Sequence, residues 1–408
     1  MNAFPRLLVA TEFPPNAAGG GAAVVRQMLK PWPAERLCWW SCLSERNQLF
    51  GRKVAAHHVA LIPRKLYPNR RWRAPRAWLL DRFWVPWAAR HLRKTLDRLQ
   101  PDVVWAIPHA QAVPPLARVL PRAGIGLHVS IHDYMNDREF GARFGTPRSR
   151  RIAALADQLY ASATTCDAIS RPMLEDLRAR TGREGLITRA GLEQEDFDNL
   201  SSEPKAQNGF IRVAYAGTIV AAEEFALVVR ALGRIRGGLP RPLLLEFFGD
   251  HSPRSHDWFD ANWMNDHGNL PAADLAKALQ ECDWGVSPMR LADANPRYNR
   301  FSLPTKFATY LAAGLPVIVV GHPESAIMKV AGQYQVGPCA TDGNLEALSA
   351  QLLAALSEAN PKAKYRPEIR RCALAEFDVR QMRAALYDHF RACASGKAGG
   401  TNSVMGVP

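Results

Sequence analysis

"FSLPTKFATYLAAGLPVIVVG", residues 301–321, sets a short helix directly before a short buried strand. Pro304 suits a helix's first turn, and Phe307, Tyr310 and Leu311 make an apolar face at helical spacing. Gly314 and Pro316 end the helix, and Val317–Val320 is an uninterrupted apolar run. A strand apolar on both faces, entered from a helix, belongs to a parallel sheet with helices on either side. Lys306 is the misfit. It stands in the helix's first turn, where the positive end of the dipole disfavours a cation by roughly 0.3–1 kcal/mol. Either it is a solvated surface lysine, or an anion such as a phosphate binds at the helix start and uses both dipole and ammonium.

The same alternation runs through the chain. "RLLVAT" (6–11), "DVVWAI" (102–107), "GLHVSI" (126–131), "RVAYAG" (212–217), "LLLEFFG" (243–249), "WGVSPM" (284–289) and "PVIVVG" (316–321) read as strands separated by helical patterns. That is the signature of α/β architecture with doubly wound parallel sheets. The series breaks at "GLEQEDFDNLSSEPKAQNG" (191–209), polar, acidic and rich in turn residues, which reads as a linker. Two Rossmann-like domains are therefore expected, over 1–195 and 206–380, with 381–408 forming a helix end and a disordered tail.

Composition narrows the class. The first fifteen residues have neither the pattern of a signal peptide nor that of a spanning helix, and no later run approaches the about 18 apolar residues of a membrane span. Seven scattered cysteines without a CxxC pair point to buried thiols in a reducing cytoplasm and to no metal site. The net charge of +14 is concentrated: residues 1–100 carry 18 Lys/Arg against 5 Asp/Glu, or +13. A block placed so unevenly points to an acidic partner surface.

Three segments carry candidate chemistry. "EFPPNAAGGGAAVVRQML" follows the first strand and opens a helix; its glycines free the backbone to approach a ligand, and the motif is neither GxGxxG nor a P-loop. "HVSIHDYMND" puts His132 and Asp133 just past a strand's carboxyl end, the edge where open parallel sheets bind ligands. There the imidazole is placed to donate to a sugar hydroxyl or phosphate, with Asp133 to orient it or accept a proton. "SPMRLADANPRYNRFSLPTK" (287–306) gathers Arg290, Arg297, Arg300 and Lys306 between a strand's end and a helix's start, a composition that suits a diphosphate clamp.

The segment "NLPAADLAKALQECDWGVSPMR…SLPTKFATYLAAGLPVIVVG" resembles the donor-binding half of glycosyltransferase family 4, a retaining group with the GT-B fold. Gly268–Leu270–Pro271–Asp274–Leu275, Cys282–Asp283, Pro288 and Pro304–Lys306–Tyr310–Gly314–Pro316–Val317 follow the order of that family's motifs, and "FPPNAAGGGAAVVRQML", "HVSIHDYM" and "CDAISRPMLEDL" extend the likeness over about residues 1–360. The resemblance implies two Rossmann-like domains facing a central cleft. It also implies a nucleotide-sugar donor held mainly by the C-terminal domain, an acceptor on the N-terminal one, and transfer with retention without an essential metal or cofactor. By position, Gly20 and Gly21 would approach the donor, His132 the reacting sugar, Gly217 the diphosphate loop, and Lys306 the diphosphate itself. The chain departs from the pattern in three places. The loop "YAGTIVAAEEF" has no cation, Thr309 replaces a glutamate, and Phe301 replaces that glutamate's usual partner. Arg297 and Arg300, with Lys306, must then supply the clamp's charge, and Thr309 takes the glutamate's place in the donor site.

The basic block 64–94 interleaves Arg70, Arg71, Arg73 and Arg76 with Trp78, Trp84 and other aromatics. Such a segment suits an anionic bilayer surface, with aromatics at headgroup depth. The expected activity is thus a cytoplasmic transferase, peripheral at the inner membrane face, acting on a lipid-linked or cell-surface polysaccharide acceptor of cell-envelope biosynthesis. No nucleic acid is expected as a partner. The rival readings are a nucleotide-sugar epimerase and a catalytically inactive sugar-nucleotide- or membrane-binding module.

Overall fold

The computed structural model of the chain describes residues 4–15, 17, 20–44, 56–66, 72–134, 141, 145–201, 209–250, 252–292 and 296–396. They form two compact units, one of residues up to Arg189 together with those from Gln381, the other Ala190–Arg380.

In the first unit, β1 (Leu7–Thr11), β2 (Leu37–Ser44), β3 (Ala56–Ile62), β4 (Val103–Ala106), β5 (Gly126–Ile131), β6 (Thr165–Ala168) and β7 (Leu186–Ile187) make one sheet. The order is β3-β2-β1-β4-β5-β6-β7, and every pairing is parallel. Residues Leu7–Ala10 and Val103–Ala106 are wholly buried, as strands covered on both faces must be. The tryptophans of this sheet keep their indole N–H groups paired: Trp39 Nε1 donates to Thr11 Oγ1 at 2.9 Å, and Trp105 Nε1 to Ser130 Oγ at 2.6 Å.

In the second unit, β8 (Ile211–Ala216), β9 (Leu243–Phe248), β10 (Met264–Asp266), β11 (Trp284–Pro288), β12 (Val317–Val320) and β13 (Cys339–Ala340) are ordered β10-β9-β8-β11-β12-β13, again all parallel. Both sheets are Rossmann-like. Strand order reverses between β1 and β4 in one and between β8 and β11 in the other, and the carboxyl ends beside such a reversal are where open α/β sheets bind ligands.

The segment read as a linker differs in the structure. Gln194–Ser201 is a helix whose Phe197 and Leu200 join the second unit's core, while 202–208 lie outside the described residues. Its acidic character suits a helix start, with Glu195 and Asp196 in the first turn at the positive end of the dipole. Two apolar anchors are too few to show a helical period. The C-terminal helix Val379–Ala394 also differs from a terminal appendage of the second unit. From Gln381 it belongs to the first: Tyr387 Oη donates to Met28 O at 2.7 Å, and Phe390 packs on Trp105 with ring centroids 5.3 Å apart. The remaining tail, 397–408, lies outside the described residues. The seven cysteines are free, and among the described residues no helix is long and apolar enough to cross a membrane.

Candidate active site

The second unit offers a site at the ends of β8 and β11. Gly217 follows β8 with φ +91°, a conformation that favours glycine, and a Cβ on Gly249 would come within 2.7 Å of Gly217 O. The loops after β8 and β9 therefore meet as bare backbone, with Gly217 N donating to Phe248 O at 2.6 Å. Lys306 reaches this turn from the start of the helix Thr305–Ala312. Its Nζ donates to Tyr215 Oη at 2.6 Å and to Thr218 O at 3.2 Å, and lies 3.9 Å from the centroid of the Tyr215 ring. Tyr310, one turn further, seats the helix: its Oη accepts from Ala216 N at 2.8 Å and donates to Val286 O at 3.2 Å. The ring lies so close over Gly285 that a Cβ there would stand 2.6 Å away.

Burial lowers the Lys306 pKa to about 7. No carboxylate among the described residues forms an ion pair with it, and two of its three N–H groups are used. A desolvated ammonium without a counter-charge, at a helix start and beside a glycine turn, is built to receive an anion.

The other residues expected at the donor are placed unequally. Arg297 is half-buried and Arg300 exposed. Glu324 is held below the usual carboxylate range, chiefly by its bond to Lys329 and more weakly by the charge of Arg300. Thr309 turns its hydroxyl back onto Thr305 O at 3.2 Å, within its own helix, and Phe301 is a buried core residue. Sequence reasoning passed over Asn299 and Glu224. Asn299 is fully buried, with Nδ2 donating to Ala292 O at 3.2 Å and Oδ1 without a partner. Glu224 accepts from Leu291 N at 2.9 Å and so ties the segment after β11 to the helix Ala222–Ile235. Neither carries a sequence signal, because both matter through strand order.

In the first unit, Gly20 and Gly21 open the helix Gly20–Leu29. A Cβ on Gly21 would lie 3.1 Å from His132 Nδ1, so glycine there leaves room for the imidazole. His132 is 8% exposed, and both its ring nitrogens lack partners. Burial lowers its pKa, opposed first by the charge of Asp167 and then by that of Asp133. Asp133, expected to orient His132, makes no hydrogen bond to it. Asp133 has a 54% exposed side chain and stands 3.5 Å from His109 Nε2, while His109 Nδ1 meets Glu12 Oε2. Both residues lie just past the end of β5, where His132 is buried and Asp133 exposed. Glu12 and His109 follow β1 and β4, the reversal point of this sheet.

The basic segment divides sharply. Trp84, expected at a surface, is 4% exposed and donates from Nε1 to Leu61 O at 2.7 Å. A wide π-helical turn, Leu80–Trp84, between the helices Arg73–Leu79 and Val85–Leu99 sets it inward. Trp78 is 61% exposed and meets Phe83 edge to face at 6.0 Å; Trp72 and Trp87 are exposed as well. Arg82, Arg90, Arg93 and Lys94 are exposed, Arg73 and Arg76 half-buried, and Arg70 and Arg71 lie outside the described residues.

A family model described as "Glucosyltransferase 3-like, C-terminal domain" matches residues 235–360. No curated protein matches the sequence significantly. Among solved structures, the fold is similar to sucrose-phosphate synthase from Thermosynechococcus elongatus (TM-score 0.69, 12% identity, 96% of this chain and 100% of that one). It is also similar to alpha,alpha-trehalose 6-phosphate synthase from Burkholderia multivorans (TM-score 0.64, 12% identity, 98% and 100%). A third is the trehalose-6-phosphate structure from E. coli bound with UDP-2-fluoro glucose (TM-score 0.61, 11% identity, 94% and 99%). The chain has the GT-B fold of these glycosyltransferases, and its residues 235–360 are similar to the C-terminal domain of glucosyltransferase 3-like proteins.

Proposed function

We propose that the protein is a retaining glycosyltransferase of the family 4 kind, which moves a hexosyl group from a nucleotide-diphosphate donor to a lipid-linked or cell-surface saccharide without an essential metal. The observation that carries this reading is Lys306, an uncompensated and desolvated ammonium held against the Gly217 turn at the reversal point of a GT-B sheet. The glucosyltransferase 3-like match over 235–360 and a structural neighbour bound with UDP-2-fluoro glucose support the donor class. In this reading Gly217 and Lys306 hold the diphosphate, with Arg297 and Arg300 near it in sequence, and His132 acts on the sugar. The test is a thermal-shift panel of uridine, guanosine and adenosine diphosphates and their sugars, followed by transfer assays on the nucleotide that binds. A ligand at 100 times its dissociation constant adds about 2.7 kcal/mol of stability, a shift easily seen. Indifference to every nucleotide would end the proposal.

A catalytically inactive nucleotide-binding module is the second reading. It is favoured by Phe301 in the core and Thr309 bonded within its helix, where family 4 members carry glutamates. Nucleotide binding without hydrolysis or transfer to any acceptor would select it.

We also propose that the exposed Trp72, Trp78 and Phe83 beside Arg82, Arg90, Arg93 and Lys94 dock the protein on the anionic inner face of a membrane. Each cation near such a leaflet is worth about 1 kcal/mol, and inserted aromatics add a term that salt does not screen. Replacing Trp72, Trp78 and Phe83 by serine should cut sedimentation with phosphatidylglycerol vesicles at least tenfold and leave nucleotide binding unchanged. If the wild type ignores these vesicles at low salt, the docking proposal is wrong.

A further inference from the structure

Asp167 is a costly residue for its position. It stands fully buried within β6, and its Oδ2 accepts from Ser130 Oγ at 2.8 Å and pairs with His128 Nε2 at 2.8 Å. Ser130 in turn accepts from Trp105. His128 Nδ1 meets Thr165 Oγ1 at 2.8 Å, and that hydroxyl lies 3.0 Å from Cys393 Sγ. The C-terminal helix closes this face, with Phe390 edge to face on His128 at 5.3 Å. All of these contacts hold one carboxylate oxygen. The other, Oδ1, is buried without a partner.

Ser130 is the cross-strand partner of Asp167, and His132 follows two residues later, just past the end of β5. The acid and the base are both buried with unpartnered polar atoms, as is His389 Nδ1 on the C-terminal helix, and the charge of Asp167 is felt at His132 before that of Asp133. We infer that Asp167, and not its sequence neighbour Asp133, is the positioning carboxylate of His132, fixing the orientation of the ring and favouring its protonated form. The role rests on the reading of His132 as the group that acts on the sugar. The relation between the two side chains does not.

The titratable groups around His132 set the control. The charge of Asp167 acts on His132 from β6, and around Asp167 itself lie His128, His389, Tyr160 and Cys166, with burial as the first cause that lowers the His389 pKa to about 4. Outside are Glu12, His109 and Asp133. Nitrogen-15 NMR of the full chain reads the titration and tautomer of His132, assigned among the eleven histidines by the signal lost in His132→Gln. Asp167→Asn, nearly the same shape, should lower the His132 midpoint by about one pH unit and change its tautomer ratio. Asp133→Asn should move it far less. Turnover of Asp167→Asn should fall at least tenfold with donor KM unchanged. If Asp167→Asn fails to fold, Ser130→Ala, which removes a donor from the carboxylate and leaves its charge less compensated, should raise the midpoint by a smaller amount. A midpoint that ignores both variants, or follows Asp133 instead, overturns the assignment. The midpoint is read without substrate, so a chain that transfers no sugar yet shows the shift refutes the transferase and keeps the pair.

Discussion

His132→Ala should lower turnover by about 10²–10³-fold, the loss typical of removing one group aimed at charge that develops during transfer. The chain should still fold, with a melting temperature lowered only by the small cavity the buried ring leaves, because neither nitrogen makes a direct hydrogen bond to protein. Donor affinity should also hold, since the proposed diphosphate contacts belong to Lys306 and the Gly217 turn. The measurement is kcat and donor Kd alongside the melting temperature. A variant that fails to fold, or that loses donor affinity in step with kcat, would show His132 to be structural. Gly21→Ala offers an independent check. Its methyl would press on the ring at 3.1 Å and should lower kcat in the same direction by displacing an intact histidine.

Lys306→Met should weaken nucleoside-diphosphate binding by about 10–150-fold, the loss of one charge-assisted contact of about 1.5–3 kcal/mol, and leave nucleoside binding nearly unchanged. The pH dependence adds a second signature. Free Lys306 titrates near 7, and an anion raises that value, so affinity should be highest below pH 7 and fall up to tenfold per unit above it. The methionine variant should lose this slope. Stability should move the other way. The folded pKa lies below the ordinary 10.5, so the unfolded chain binds the extra proton between pH 7 and 10.5, and wild-type stability rises with pH across that window. Removing the ammonium should therefore raise the melting temperature at pH 7 while binding worsens. Calorimetry showing equal losses for nucleoside and nucleoside diphosphate would dismiss the phosphate role.

Lys306 was legible because it broke a rule, a cation at the wrong end of a helix. What holds it was not. Tyr215 and Thr218 lie some ninety positions away in sequence, and only the pairing of β8 with β11 brings them near. The same limit hid Glu12 and His109, which face each other because β1 and β4 are neighbours, a fact of sheet order and not of spacing. Most apolar runs read as strands, but the two longest strands, β2 (Leu37–Ser44) and β3 (Ala56–Ile62), escaped notice, the first carrying Ser41 and Ser44 and the second His57 and His58. Those of two or three residues, β7, β10 and β13, left too little pattern, and β6 was masked by the polar Thr165 and Asp167 that do its chemistry. Trp78 and Trp84 shared one basic run, and a helical period cannot sort them when a wide turn shifts the phase between.

The return of the C-terminal helix to the first unit bears on how the chain is made. Ala190–Arg380 emerges from a ribosome whole before Tyr387 and Phe390 do, yet these are the rings that cover Trp32, Trp105 and His128. At about 5–20 residues per second, the first unit waits some 10–40 s with that apolar face open. The middle segment, meanwhile, already holds all its own strands. Of the two units, the one translated first is thus the last to be finished, and residues 1–189 expressed alone would keep the exposed face permanently.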